Sequence, residues 1–344
     1  VKMLKAIYLA LRGVALFPVR MLVPARRPQC QKMRKVLIVR TDRVGDMVLS
    51  TPFFSALHAA LPQAELVLLA KPFARDLLCG NPDIGRIMDW EPSRRDAIVS
   101  ALQSERFDLA IDMHYDYDLS TAMLCRESAA EYAAGFDIAG RGAFFNVRVP
   151  ASGKKHFLDE TSDILSALGL EHTLRPPRIY ADPGGWAAAR EFLLSQGVPR
   201  DARIALIHPG GFYPEQRWPA ERFAALADLL AEKYALSPCV IGSADEERLC
   251  ASLVAAARRK PALFVGRSLR ELAALFEKSV FFVGNNSGPL HLAAAFGVPT
   301  LTTMGPTDPV RWQPFGPANS VVCKRDLTDI TVEEMAAEIQ RRLH

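Results

Sequence analysis

From Val36 onward the chain repeats one pattern: a short, largely apolar run, a polar turn, then a longer segment with helical spacing. Apolar runs of this kind fit strands covered on both faces, and the helical segments supply the crossovers that parallel strands need. The pattern predicts strands at 36–40, 65–70, 86–89 and 109–112, with helices at 46–60, 73–79, 93–104 and 157–168. Between 132 and 149 it weakens into a glycine-containing stretch, read as irregular strands and a loop. Residues 171–184, with Pro176, Pro177, Pro183 and Gly184, read as a linker. Alternation then resumes, with strands at 203–207, 238–241, 262–265, 280–283 and 300–303 and helices at 220–234, 245–257, 269–276 and 289–296. A last helix at 332–343 opens on a Thr331-x-x-Glu334 capping box. The expected fold class is α/β, with two Rossmann-like domains facing an interdomain cleft. The expected divisions are a leader at 1–34, a first domain at 35–175, a second at 185–326 and a C-terminal helix at 331–344.

The 344-residue length agrees with two domains, and 49 % apolar against 23 % charged residues agrees with ordinary packed cores. Net charge is +4, but it is unevenly placed. Residues 1–35 hold nine Lys or Arg and no acid, while the remainder carries 33 basic against 38 acidic residues, a net of −5. The leader also shows Leu4, Ile7, Tyr8, Leu11, Ala15 and Leu16 at roughly helical spacing. Its longest uncharged run, from Gly13 to Val19, is far short of the roughly 20 apolar residues that span a bilayer. An interfacial helix on an anionic membrane, through residues 1–30, suits it best. A helix packed on the first domain and a signal peptide are the alternatives, although Arg12 interrupts the apolar region. Six scattered cysteines without CxxC spacing fit thiols in a reducing compartment.

Three turns at strand ends carry the candidate chemistry, because ligands of doubly wound sheets sit beyond the carboxyl ends of the strands. In Thr41-Asp42-Arg43-Val44-Gly45-Asp46, Asp46 at a helix start suits a general base on an acceptor hydroxyl, or a plain helix cap. Asp42 reads as an exposed or Arg43-paired turn residue. In His208-Pro209-Gly210-Gly211, two glycines admit a ligand close to the backbone, and Arg217 offers a planar fork for a diphosphate. A simple turn explains that segment about as well. In Gly284-Asn285-Asn286-Ser287-Gly288-Pro289-Leu290-His291, the start of a helix offers free N–H groups to a phosphate. His291 lies one turn in, as an anion donor or as a buried structural histidine. Met304-Gly305-Pro306-Thr307-Asp308-Pro309 is read as a further wall. Asp112 and His114 are acceptor-contact candidates or ordinary loop residues. No phosphate loop, dinucleotide fingerprint, HExxH, Cys/His cluster or DxD is present, which disfavours ATPase, dehydrogenase and metal-dependent readings.

The segments VLIVRTDRVGDMVLSTPFFSAL, HPGGFYPEQRWPAERFAAL and GNNSGPLHLAAAFGVPTLTTMGPTDP together resemble glycosyltransferase family 9, the bacterial heptosyltransferases, over roughly residues 35–325. The resemblance implies a GT-B fold, an inverting mechanism without a metal or other cofactor, and a nucleotide sugar, commonly ADP-heptose, as cosubstrate. It implies acceptor binding by the first domain, where Arg43, Asp112 and His114 are the candidate contacts, and Asp46 as the catalytic base. Donor binding falls to the second domain through His208, Gly210, Gly211, Gln216, Arg217, Gly242, Asn286, Ser287, Gly288 and His291. Family members often carry Lys where Gln216 stands and Asp where Asn286 stands. The implied acceptor is a lipopolysaccharide core or related lipid-linked glycan. The expected place is the cytoplasm, at the inner face of the cytoplasmic membrane. A catalytically silent sugar-nucleotide-binding scaffold is the rival reading. Nucleic acid is not an expected partner, because the basic charge is confined to the leader.

Overall fold

The structure is a computed structural model that describes residues 2–343. Val1 and the side chains of Lys2, Lys5 and Ala6, part of the expected leader, lie outside the described residues, as does His344 at the end of the expected last helix. The chain forms two compact units, one of Val1–Asp42, Ser50–Arg75 and Asn81–Arg175, the other of Arg43–Leu49, Asp76–Gly80 and Pro176–His344.

Two helices, α1 (Lys2–Ala15) and α2 (Phe17–Leu22), precede the first sheet. They are followed by β1 (Lys35–Val39), α3 (Val44–Ala60), β2 (Glu65–Ala70), α4 (Phe73–Leu77), β3 (Arg86–Asp89) and α5 (Arg95–Glu105). The half closes with β4 (Leu109–Asp112), α6 (Ser120–Glu127), β5 (Tyr132–Phe136), β6 (Val147–Val149) and α7 (Phe157–Ala167). Its six strands are parallel, in the order β3-β2-β1-β4-β5-β6. The four apolar residues of β1 after Lys35 are fully buried because both faces are covered. On one face Leu37, Val39, Val67 and Leu69 pack with Ile98 and Leu102 of α5.

The second sheet begins after α8 (Pro183–Ser195) with β7 (Ile204–His208), α9 (Ala220–Tyr234), β8 (Ser237–Gly242), α10 (Glu247–Ala256), β9 (Ala262–Val265) and α11 (Leu269–Lys278). It continues through β10 (Ser279–Asn285), α12 (Gly288–Ala295), β11 (Thr300–Met304), α13 (Pro309–Trp312), β12 (Asn319–Cys323) and α14 (Val332–Leu343). These strands are also parallel, in the order β12-β11-β10-β7-β8-β9. Counted within each half, both sheets have the order 3-2-1-4-5-6, so winding reverses between β1 and β4 and again between β7 and β10.

Four local expectations are corrected. In residues 132–149 the strands are regular, β5 and β6 forming parallel ladders around a loop at 137–146, with Gly135 packed under the Phe145 ring. Helix α6 was absent from the expectations; the Asp118 carboxylate accepts the Ser120 N–H (3.0 Å) at its start, ahead of a segment too short for clear periodicity. Strand β12 was also missed, since an edge strand that buries one residue of five has no long apolar run to read. Helix α8 begins inside the proposed linker, with Pro183 in its first turn and Asp182 accepting the Gly184 N–H as its cap. The capping box of the last helix forms as read: Glu334 N–H donates to Thr331 Oγ1 and Thr331 N–H to Glu334 Oε2. Met335 and Ile339 of that helix enter the core of the second unit beside Leu226, Leu230 and Trp218.

Trp218, 1 % exposed, meets Phe223 edge-on and donates its indole N–H to Ile330 O (2.9 Å), tying α14 to that core. Trp218→Ala is expected to cost about 3–5 kcal/mol, read as a lowered midpoint of urea unfolding followed by circular dichroism.

Candidate functional site

At the reversal point of the first sheet, three consecutive residues leave β1 with their side chains held. Arg40, 1 % exposed, donates to Met113 O (2.8 Å) and pairs with Asp42 (3.1 Å). The Thr41 amide donates to His114 Nε2 (3.2 Å), which places the ring proton on Nδ1, facing Asp112 Oδ1 at 2.9 Å. Asp112 is fully buried at the end of β4; its other oxygen accepts from Thr121 Oγ1 (3.0 Å) and pairs with the equally buried Arg141. Arg141 also holds Asp116 (2.8 Å) and the Asp118 carbonyl. Burial pushes the Asp112 carboxyl up, but Arg141 and His114 more than offset this and keep it below the usual carboxylate range. Both candidate acceptor contacts, Asp112 and His114, are thus turned into the protein, where they fix the exit of β1. Asp42 pairs with Arg40 rather than with Arg43.

Arg43–Leu49 belong to the second unit. Asp46 is the third residue of α3, in its first turn and half-buried, so it is not the helix cap. Within that unit a Cβ placed on Gly45 would lie 3.0 Å from the Gly288 Cα and 3.2 Å from His291 Cδ2, so the Gly45-Asp46 turn abuts the first turn of α12. The Arg43 guanidinium stacks 3.6 Å from the centre of the Phe212 ring.

At the reversal point of the second sheet, the His208 ring lies between Ser287 Oγ (2.9 Å) and Glu246 Oε2 (3.3 Å). Glu246 accepts the N–H groups of Gly211 (2.9 Å) and Ser243 (2.9 Å) and the Ser243 hydroxyl (3.0 Å). Gly210 is required by contact, since a Cβ there would fall 2.0 Å from Glu246 Oε1. Arg217 directs Nε (2.8 Å) and Nη2 (2.5 Å) to Gly211 O, and Thr307 bonds the Gln216 amide (3.2 Å). Gly242 ends β8, its Cα hydrogens against Cys250 Sγ. Ser287 precedes α12 but does not cap it, because its hydroxyl donates to Asn285 O (3.2 Å). The Gly288 N–H at the start of α12 is therefore left to an incoming group, next to Asn286 and the buried His291; Pro289 has no N–H, and that of Leu290 donates to Ser287 O (3.1 Å).

Two residues here escaped the sequence reading. Fully buried Asn285 accepts from Trp218 N (2.9 Å) and Thr303 Oγ1 (2.8 Å) and donates to Pro209 O (2.8 Å) and Gly210 O (3.1 Å), clamping the glycine turn. Glu246 lies between two ordinary helix-start residues, and only its carboxylate position in space marks it. No group of three or more His, Cys, Asp or Glu side chains suited to a metal occurs among the described residues.

Removing Arg141 strands the Asp112 carboxylate in a buried site, so Arg141→Leu should destabilise by about 3–5 kcal/mol. Adding Asp112→Asn should recover part of that loss, measured by urea unfolding of both variants. Burial pushes the Glu246 carboxyl up, but His208 and the Ser243 and Gly211 N–H groups outweigh it and hold it well below its ordinary value of 4.5. The unfolded chain therefore binds the extra proton first, so this stabilisation is present above the ordinary value and lost as pH falls below it. Glu246→Gln should flatten the fall in melting temperature between about pH 5 and about pH 3, as calorimetry would show.

Comparison with known proteins shows the family and the fold. The model of glycosyltransferase family 9 (heptosyltransferase) matches residues 95–338. A lipopolysaccharide heptosyltransferase 3 of Escherichia coli is 25 % identical over 288 residues, covering 79 % of this chain and 83 % of that protein. Among solved structures, a family 9 glycosyl transferase from Veillonella parvula superposes with a TM-score of 0.83 at 21 % identity, over 92 % of this chain and 99 % of that one. The E. coli ADP-heptose LPS heptosyltransferase II gives 0.77 at 21 % identity, over 90 % and 98 %. Those likenesses give the fold, GT-B with two Rossmann-like domains. With two doubly wound sheets and a family match over most of its length, the chain is a glycosyltransferase belonging to glycosyltransferase family 9, the heptosyltransferases.

Proposed function

We propose that the enzyme transfers a heptose from ADP-heptose, with inversion, to a lipopolysaccharide core or related lipid-linked glycan at the inner face of the cytoplasmic membrane. The observation that carries this reading is the approach of the Gly45-Asp46 turn to the uncapped first turn of α12. A diphosphate at that helix start meets the Gly288 N–H and the positive end of the helix dipole. The Asp46 carboxylate, one residue beyond the contact, takes the proton of the acceptor hydroxyl as its oxygen bonds to the anomeric carbon. The bond from that carbon to the diphosphate breaks on the opposite side, and the nucleoside diphosphate leaves with the electron pair. Gly210, Gly211, Gln216, Arg217, Gly242, Asn286, Ser287 and His291 frame the donor, with His208 and Glu246 holding the glycine turn. The acceptor is assigned to the first domain, where Asp112 and His114 act from behind by fixing the β1 exit. No metal or other cofactor is assigned a part.

The replacement of the family's Lys and Asp by Gln216 and Asn286 favours a second reading, the same chemistry with another sugar. The test is a donor panel of ADP-heptose, ADP-glucose and UDP- and GDP-sugars with lipid A–Kdo acceptors. ADP-heptose turnover should be selected, and Asp46→Asn should lower kcat by about 10²–10⁴ with little change in donor KM. Turnover of another donor alone would discard heptose, and nucleotide binding without turnover on any acceptor would favour a silent scaffold.

A further inference from the structure

The leader inverts the usual order of an amphipathic surface helix. Its arginines face the protein: Arg12 donates twice to Ala139 O (2.9 and 2.7 Å), and Arg20 pairs with Asp137 (2.7 Å). Arg148 returns bonds to the Arg20 and Val23 carbonyls, and Arg26 pairs with Glu131 (3.0 Å) while covering the Tyr132 ring at 4.6 Å. Leu16 closes the contact against Gly140, where φ is +89° and a Cβ would lie 2.9 Å from Leu16 Cδ1. All of these groups lie in the first unit. With Arg12 and Arg20 turned inward, the apolar row faces solvent: Leu4, Leu11, Val14, Phe17, Met21 and Leu22 are each 57–81 % exposed. Nine of the fifteen large apolar side chains exposed among the described residues belong to α1 and α2. An apolar concentration of this kind marks an interaction surface.

We infer that α1 and α2 form a fixed platform that docks on an anionic lipid bilayer by inserting this apolar row, while Arg12, Arg20 and Arg26 latch the platform to the enzyme. Charge selects the occupant. Residues 1–35 contain no acid, and Arg27, Lys32 and Arg34 are exposed just behind the helices. Anionic headgroups attract each such cation by about 1 kcal/mol near the surface. A second copy would instead oppose one basic leader to another across a two-fold axis. The inference rests on the reading of a membrane-surface enzyme but not on its donor or acceptor.

The test uses the full chain without substrates, floated with vesicles of phosphatidylcholine alone and of phosphatidylcholine with phosphatidylglycerol at 7:3. The wild type should bind the anionic vesicles, and a Leu11→Ser/Phe17→Ser/Leu22→Ser variant should lose at least about tenfold in partition coefficient, since each apolar carbon contributes to interfacial insertion. Its melting temperature should not move, because these side chains already face solvent. Arg20→Gln with Arg12→Gln should loosen the leader to limited proteolysis while leaving vesicle binding within about threefold. Unchanged binding by the serine variant would overturn the inference in favour of a purely electrostatic tether. Absence of wild-type binding would overturn it too, as would a dimer that the serine variant converts to monomer in light scattering. Donor turnover on a soluble acceptor, assayed in parallel, is independent of either result.

Discussion

A parallel sheet wound outward from its middle sends its helices to opposite faces, and at the reversal the carboxyl ends of two adjacent strands are left uncovered. This chain has that constraint twice. In the first sheet the uncovered ends are Val39 and Asp112, which are register partners; in the second they are His208 and Gly284. Asp46, Asp112, His114, His208, Arg217, Ser287 and His291 all lie at one of those four ends or in the turn or helix that follows, while Glu246 reaches in from the end of β8. The apolar strands beneath have no freedom to contribute, because β1 and β7 are buried along their lengths. Chemistry is therefore confined to the turns, and the rest of each sheet serves to keep those turns still.

Keeping them still takes buried polar groups rather than more apolar packing. The Asp112–Arg141 pair is fully enclosed, and such a pair commonly contributes little net stability over an apolar substitute. What it supplies is direction: with Asp112 held, the His114 ring is fixed, and its Nε2 fixes the Thr41 amide. Asn285 does the same work in the second sheet with both acceptor positions and both N–H groups satisfied. An apolar residue of that size would leave Pro209 O and Gly210 O without these partners and release the glycine turn.

The order of strands and helices was readable because central parallel strands are apolar on both faces, and the helix ends carried their caps in the sequence. Thr331 and Glu334 are the plainest case. Elements at the margins were not readable for the corresponding reason: β12 buries one residue of five, and α6 is only eight residues long. Asp46, Ser287 and His291 were found because they follow strands within recognisable turns. Asn285 and Glu246 were not, since an Asn at a strand end and a Glu at a helix start are both common on local grounds. Their roles depend on partners 18 to 76 residues away in the chain, which spacing does not disclose. The leader shows the same limit. Its amphipathicity was visible in the sequence, but which side faces the protein is decided by Ala139, Asp137 and Arg148.

Under the proposed reading, the two departures from the family pattern are better taken together than singly. Gln216 removes a cation and Asn286 removes a carboxylate, so the formal charge of the turn pair is unchanged while two charged directions are lost. Arg217 does not replace the missing lysine, since two of its donor nitrogens are committed to Gly211 O. An attraction that remains for a diphosphate is the start of α12, where the helix dipole and the Gly288 N–H belong to the backbone and so do not depend on side-chain choice. Phosphate binding can then persist while the polar groups that read a sugar's hydroxyls change. Substitution at these two positions thus alters recognition of the sugar more than it alters departure of the nucleotide.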